Sequence, residues 1–330
     1  MPVFACVGPT RPAIGPHADR ERWTRTLVAA PSRLLAFAPA FLQYQLGRGP
    51  VPVLAGYKIT HRCNLKCLHC PYWSRTGPES SFREVSAVLA TLRTMGVRIL
   101  ILEGGEPLLW RDGDRTLPDV VLEARKIFPC VCMTTNGTLP WDDMPFNRVW
   151  VSLDGPPQVN DAIRGDGHFE RVLERIAADG RGRAFVSTTI NTVNLASIPE
   201  MLGTLRGKTP GVTIQFHYPY RGLPDPLFVQ PTDRVSLLRE LVRLKRAGYP
   251  VANSVASLTD MQRDKWTCED RLLANAEPDG TILQGCYLRN RAKANCLHCG
   301  FSAHNEMSLA FRGGLQSILT GMRIFFDTAQ

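Results

Sequence analysis

Residues 53–70 read VLAGYKITHRCNLKCLHC, an apolar run that passes straight into a loop carrying Cys63, Cys67 and Cys70. The first seven, 53–59, have the length and residue types of a buried strand. From there a strand and helix alternation repeats along the chain. A helix is expected over 82–95 and a strand over 98–102 entering Gly104-Gly105. A helix over 117–128 follows, then strands over 130–134 and 148–153 and a helix over 168–178. The pattern continues with a strand over 184–190, a helix over 195–206 and a sixth strand over 212–216. Short apolar strands separated by helices call for crossover connections, which build a parallel sheet. Six such units predict an α/β fold, either an incomplete barrel or an open sheet. In both, the loops leaving the strand C-termini are where a site belongs.

The flanks differ from this body. Residues 1–22 are rich in Pro and Gly without a period and read as a loose tail. The stretch 33–46, RLLAFAPAFLQYQL, reads as a helix with a broad apolar surface kinked at Pro39. Two readings stand for it: packing on the main body, or docking on a membrane or a lipidic substrate. Beyond residue 216, the segment 218–231 holds four prolines, 232–247 reads as a helix, and 266–300 is loop-rich with four cysteines. The expected organisation is a tail and amphipathic helix over 1–52, a partial barrel over 53–249, and a small loop-rich domain over 250–330.

Composition narrows the class. The chain has 330 residues, 44% of them hydrophobic and 21% charged, which suits a folded core rather than disorder. Its most apolar part, 27–46, is interrupted by Pro31, Arg33 and Pro39, so no membrane span is expected. Residues 1–22 lack the pattern of a secretory signal. A cytoplasmic location is expected, with peripheral membrane contact as a second possibility. The net charge of +9 is spread over separate positions and reads largely as solvated surface, so no nucleic-acid partner is expected. Ten cysteines in a reducing compartment point to metal or catalytic roles before disulfides.

Three thiolates on one short loop can hold three corners of a cubic iron-sulfur cluster and leave the fourth iron open. Zinc is the alternative, but a closed zinc site needs a fourth ligand, and His61 or His69 would have to supply it. The spacing C-x3-C-x2-C after a first strand resembles the radical S-adenosylmethionine (radical SAM) enzymes, over about residues 53–216. Further motifs fall in order. Gly104-Gly105-Glu106-Pro107 looks like the family's GGEP segment, which holds the methionine amino group of SAM. Glycines permit close backbone approach there, and Glu106 would offer an acceptor to an ammonium. Thr134, Asn136, Ser152 and Asp154 end the third and fourth strands, where members of the family contact the ribose or the methionine carboxylate. Ser152 and Arg164 are placed as a carboxylate-binding pair, and Thr189 and Asn191 end the fifth strand as further cofactor contacts. His69 departs from the family, which usually has an aromatic residue before the third cysteine; that position contributes mainly its backbone to the adenine.

The resemblance implies a partial (β/α)6, TIM-like barrel. It also implies that a reduced 4Fe-4S cluster cleaves S-adenosyl-L-methionine to methionine and a 5'-deoxyadenosyl radical, which takes hydrogen from an unactivated C–H bond. An electron donor such as flavodoxin or ferredoxin is implied as partner.

Cys268, Cys286, Cys296 and Cys299 form a second set ending in C-x2-C, enough to ligate one more 4Fe-4S cluster completely. It resembles the auxiliary-cluster domain called twitch, a shortened form of SPASM; a zinc knuckle is the alternative. Residues 278–282, PDGTI, read as a hairpin turn before Cys286. Cys130 and Cys132 read as core thiols, and Cys6 is left over. Candidate substrate-reading residues after the sixth strand are His217, Tyr218, Tyr220 and Arg221, unless that segment is only a connector. The substrate itself, small molecule, lipid or peptide, is open. So is the choice between an oxidation relayed through the auxiliary cluster and a bond-forming reaction with a zinc-stapled tail. A non-catalytic iron-sulfur electron carrier is the rival outside the enzyme class.

Overall fold

The computed structural model describes residues 35–263 and 265–326. The tail read over 1–22, Cys6 and the start of the 33–46 helix lie outside the described residues.

Six parallel strands form the frame: β1 (Leu54–Thr60), β2 (Ile99–Gly104), β5 (Cys130–Thr135), β6 (Arg148–Ser152), β7 (Ala184–Ile190) and β8 (Val212–Phe216). Between β2 and β5 lies a small antiparallel ribbon, β3 (Arg111–Asp112) with β4 (Arg115–Thr116). The crossovers are α2 (Phe82–Met95), α3 (Leu117–Ile127), α4 (Pro157–Arg164), α5 (His168–Ala178) and α6 (Ile198–Thr204). One face of each strand, including Tyr57, Leu102, Met133, Val151 and Val186, packs with Leu89, Leu92, Val121 and Val172 of the helices into one apolar core. This is what a period-two strand pattern facing amphipathic helices should bury. Helix α2 shows the local logic. Ser81 and Glu84 form a reciprocal capping box at its start, and Gly96, at φ 110°, ends it.

The sheet continues past residue 250. After α7 (Pro231–Arg246) and α8 (Val255–Asp260), strand β9 (Leu273–Ala276) pairs parallel to β1, and β10 (Ile282–Gln284) returns antiparallel to β9 across the 278–282 turn. The full order is β10-β9-β1-β2-β5-β6-β7-β8. Segment 250–330 thus shares the barrel's sheet as well as carrying the second cysteine set.

The concave side is covered by α9 (Ser302–Phe311) and α10 (Leu315–Phe326). Ile324 packs with Ile99, Cys130, Cys132, Trp150 and Phe185, and Arg148 Nε donates to the Ile324 carbonyl at 2.6 Å. Cys130 and Cys132 are buried with sulfurs 3.6 Å apart. The N-terminal helix is α1 (Ala38–Gln45), and its Pro39 lies in the first turn. A proline there has no hydrogen bond to lose, so Pro39 starts the helix and does not kink it, contrary to the sequence expectation. Tyr44 of α1 meets Phe311 edge-on, with ring centroids 5.6 Å apart.

Candidate active site

At the C-terminal ends of the strands, a cavity of about 180 Å³ is lined by all three cysteines of the first loop. The loop is held from several sides. Thr60 Oγ1 accepts from Arg62 N at 2.9 Å, and Leu68 N donates to the Ile163 carbonyl at 2.9 Å. Glu79 accepts from Thr60 Oγ1 and from Arg62 Nη2, the latter at 2.6 Å. The glycine pair of β2 packs directly against it: Gly105 N donates to Thr60 O and Glu106 N to Arg62 O, both at 2.8 Å. A Cβ on Gly104 would overlap the Thr60 carbonyl oxygen, and one on Gly105 the Arg62 carbonyl oxygen. Only glycine lets these backbones close together.

The thiols receive hydrogen bonds that suit thiolate ligands. Leu65 N points to Cys63 Sγ at 3.5 Å and Tyr72 N to Cys70 Sγ at 3.4 Å. Asn136 Nδ2 lies 3.8 Å from Cys63 Sγ, and Arg164 Nη1 lies 3.7 Å from Cys67 Sγ. Burial pushes the Cys67 thiol up to about 11, with Arg164 pulling the other way. Among the described residues no three His, Cys, Asp or Glu side chains converge as the ligands of a single ion would. A cubic cluster spreads its ligands over different irons, so three thiols around one cavity, each met by N–H donors, fit that group.

Gly104, Gly105, Thr134, Asn136, Ser152, Arg164 and Thr189 line the cavity with the cysteines and His69. Ser152 and Arg164, the expected carboxylate pair, are therefore brought together. Arg164 is aimed by Asp154, whose Oδ2 lies 2.7 Å from its Nε. Burial opposes the guanidinium charge, but Asp154 and Cys67 more than offset it.

Four of the expected contact residues lie off the cavity wall. Glu106 is fully buried and absent from the cavity wall: both of its oxygens accept from Thr135 Oγ1 at 2.9 Å, and they also take Asn136 N at 2.7 Å and Leu108 N at 3.2 Å. It clamps the strand ends, leaving the backbone of Gly104-Gly105 to face a ligand. Burial raises Glu106 to about 7. Asp154 is likewise enclosed, its Oδ1 accepting from Thr189 N at 2.8 Å, so it positions Arg164. Asn191 is buried and shapes its own turn, its Oδ1 accepting from Val193 N at 2.9 Å. Pro107 is buried off the cavity and opens a short 3₁₀ turn. The His69 side chain stays in the wall, with Nδ1 3.7 Å from Asp154. Burial lowers it to about 4, so it is neutral.

After β8, His217, Tyr218 and Tyr220 line the cavity, while Arg221 is exposed and does not. His217 Nε2 meets Asp225 Oδ2 at 2.9 Å. The sequence reading missed Lys58, Tyr72, Gln215 and Tyr287, which also line it. Lys58 is 2% exposed, with Nζ 3.1 Å from Glu103 and 4.0 Å from the Tyr72 ring centroid. A lysine inside a strand read as buried was the available signal, because such a charge requires a partner.

Three cysteines of the second set, Cys286, Cys296 and Cys299, lie between edge strand β10 and Gly300, whose carbonyl accepts from Phe216 N of the opposite edge strand β8 at 3.1 Å; Cys268 precedes β9. Cys286 and Cys299 are half-buried and pack with Tyr218, Leu288 and Phe301; Cys268 and Cys296 are exposed. Burial pushes Cys299 up to about 12, and the neighbouring Cys286 and Cys296 thiols add to it. Cys268 feels all three of the others.

A second and larger cavity, about 500 Å³, occupies the barrel lumen. Glu103, Thr134, Ser187 and Gln215 are among the residues that line both cavities, so the two adjoin.

A parallel partial barrel with a three-cysteine loop after its first strand defines an iron-sulfur enzyme class. Residues 57–203 form a Radical SAM superfamily domain. The chain is similar to Fe-coproporphyrin III synthase of Methanosarcina barkeri, with 30% identity over 254 residues, 71% of this chain and 60% of the relative. It is also similar to mycofactocin maturase MftC of Mycobacterium tuberculosis, at 31% over 51% of this chain and 46% of the relative. Pre-heme d1 synthase of Dinoroseobacter shibae is 34% identical over 48% of this chain and 41% of that protein. The chain thus spans about half the length of these relatives. Among solved structures, Streptococcus suis SuiB bound to S-adenosylmethionine superposes with a TM-score of 0.58 at 12% identity, covering 81% of this chain and 68% of that one. anSMEcpe with bound AdoMet and the Cp18Cys peptide gives 0.57 at 18%, covering 75% and 78%. These two share the barrel fold. No described helix is long and apolar enough to cross a membrane.

Proposed function

We propose that this chain cleaves S-adenosyl-L-methionine reductively and abstracts hydrogen from an unactivated C–H bond, with a second 4Fe-4S cluster relaying an electron to or from the substrate. When bound, the cluster at Cys63, Cys67 and Cys70 supplies the electron that breaks the sulfonium bond. The chain's own residues do the rest. Ser152 and Arg164 take the methionine carboxylate, Asp154 keeps the guanidinium oriented, and the backbone of Gly104-Gly105 faces the ammonium. Thr134, Asn136, Thr189 and the His69 backbone contact the nucleoside. Lys58, Tyr72 and Tyr287 close the wall and exclude water.

The observation that carries this reading is the convergence of the three thiols, the glycine pair and the Ser152–Arg164 pair on one cavity.

The relay rests on the second thiol set. Burial, with the neighbouring thiols adding to it, pushes Cys268 and Cys299 up to about 12, and a bound cationic centre is what would let such thiols ionise. Aromatic rings lead from one set to the other: Tyr72 meets Tyr220 at 5.8 Å, Tyr220 meets Tyr218 at 5.5 Å, and Tyr218 stacks on Phe301 at 6.2 Å. A one-electron donor such as flavodoxin or ferredoxin completes the proposal. Anaerobic protein, reconstituted and reduced, should release 5'-deoxyadenosine and methionine from SAM. Failure to do so with a fully loaded first cluster would refute the enzymatic reading.

The relatives' names span a tetrapyrrole, a mycofactocin precursor and a nucleotide, and one solved neighbour carries a bound peptide. Membership in the family therefore leaves the substrate open, and the chain's own lumen has to supply it.

A further inference from the structure

The lumen cavity divides into two chemical zones. Next to the SAM site its wall is built of neutral polar groups, Thr134, Ser187 and Gln215. Away from it the wall is aromatic and aliphatic, with Trp150, Met307, Ile318 and Phe325 among its members. Among the described residues the wall holds no lysine or arginine. Each of its two acids has a partner on at least one oxygen. Glu103 pairs with Lys58 at 3.1 Å and lies 3.6 Å from Arg291, and Glu306 accepts from Ser254 N at 2.9 Å. Two buried polar atoms in the wall lack a partner: the Nδ1 of His304, a residue 8% exposed, and the Oε1 of Glu306. A buried polar atom left without a hydrogen bond is costly, so it points to a ligand atom.

Volume and charge together select the occupant. About 500 Å³ lies within the range of sites that enclose drug-sized ligands, too large to be left as packing error in a close-packed core. A phosphorylated lipid or a polycarboxylate tetrapyrrole would have to bury anions with no cation to receive them. An apolar chain meets a mostly apolar wall, interrupted by Asn253, Asn275 and Ser317. On the reading that residues 57–203 perform radical SAM chemistry, we propose that the lumen takes a neutral substrate with an apolar, lipid-like body and a small uncharged polar end. The polar end lies among Thr134, Ser187, Gln215 and His304, which brings the adjoining carbons next to the SAM cavity.

The probe is hexadecan-1-ol bearing a diazirine in its chain, photolysed with the anaerobic holoprotein in the presence of SAM and mapped by peptide mass spectrometry. Labelling should fall on lumen residues such as Trp150, Met307 and Ile318. Unlabelled hexadecan-1-ol should compete, whereas hexadecyl phosphate and coproporphyrin III should not. Ile318→Arg, a half-buried position on α10, should cut lumen labelling about tenfold by placing a cation in the apolar wall. Ile318→Leu should keep it, and both variants should bind SAM as the parent does. Labelling confined to the outer surface would overturn the inference. So would absence of any lumen label, as when another part of the chain fills the space, or equal competition by the phosphate or the porphyrin. The assay needs no turnover. Lumen labelling without 5'-deoxyadenosine release would fail the enzymatic reading alone, and release with labelling elsewhere would fail this inference alone.

Discussion

Arg164 shows how a single side chain is prepared for its ligand. It is 8% exposed, held by Asp154 at 2.7 Å, and still lines the cavity beside Ser152. Arg164→Ala should weaken SAM binding by about 1.5 to 3 kcal/mol, the range for a hydrogen bond to a charged group, with iron content unchanged. Asp154→Asn should weaken it by a smaller amount, since the guanidinium stays but loses its anchor. Isothermal titration on the reconstituted protein checks both. Glu106 gives a pH prediction. Its pKa is raised in the fold to about 7 by burial, so the folded chain holds a proton that the unfolded chain has released above about 4.5. The stability this contributes is complete below about 4.5 and is lost as pH rises through 7. Measured against Glu106→Gln by denaturant unfolding, the parent should therefore lose up to about 2 to 3 kcal/mol between pH 4.5 and 7.5. A flat difference would mean that the three donors around the carboxylate outweigh its burial. The residue types at this site were legible from the GGEP, TNG and LDG motifs, but the direction in which each side chain turns was not. Glu106 and Asp154 face inward because the strand ends offer them N–H and O–H donors, a consequence of packing that no short motif records.

At the scale of elements, the six strands and most crossover helices were readable because each has one apolar face of the right period. Strand β7, strand β8, helix α2 and helix α5 fall where the pattern puts them. Helix α4 was not read, since 157–164 carries only two large aliphatic side chains, Val159 and Ile163, and begins at a proline pair. Nor was the pairing of β9 with β1 readable, because it joins residues more than 200 positions apart through a strand of four residues. The contact between the β1 loop and the β2 glycines has the sharpest consequence. Gly105→Ala would drive a methyl group into the Arg62 carbonyl, which belongs to backbone and cannot swing aside. It should cost about 1 to 3 kcal/mol in thermal or denaturant unfolding and lower iron retention at Cys63, Cys67 and Cys70. Gly77→Ala, with nothing within 4 Å of the added carbon, should be near neutral in both measurements.

At the scale of the molecule, β10 and β8 are the two edges of an eight-stranded sheet, and the segment carrying Cys286, Cys296 and Cys299 runs from β10 to Gly300, which bonds β8. One set of three thiols lines the smaller cavity, Cys286 and Cys299 of the second set pack beside Tyr218 and Phe301, and the lumen runs between helices α9 and α10 and the strands. The spacing of both sets was plain in the sequence; that the second belongs to the closure of the barrel required the fold. The proposed chemistry rests on a division of labour between an open cluster held by three cysteines and a closed one held by four. It is tested most directly by anaerobic iron and zinc analysis, with electron paramagnetic resonance and a SAM-cleavage assay, on the parent and on the Cys63→Ala, Cys67→Ala, Cys70→Ala triple variant. The account predicts about eight irons in the parent, and in the variant about four irons, a reducible 4Fe-4S signal and no 5'-deoxyadenosine. One zinc and no iron in the variant, or SAM cleavage surviving there, would contradict it.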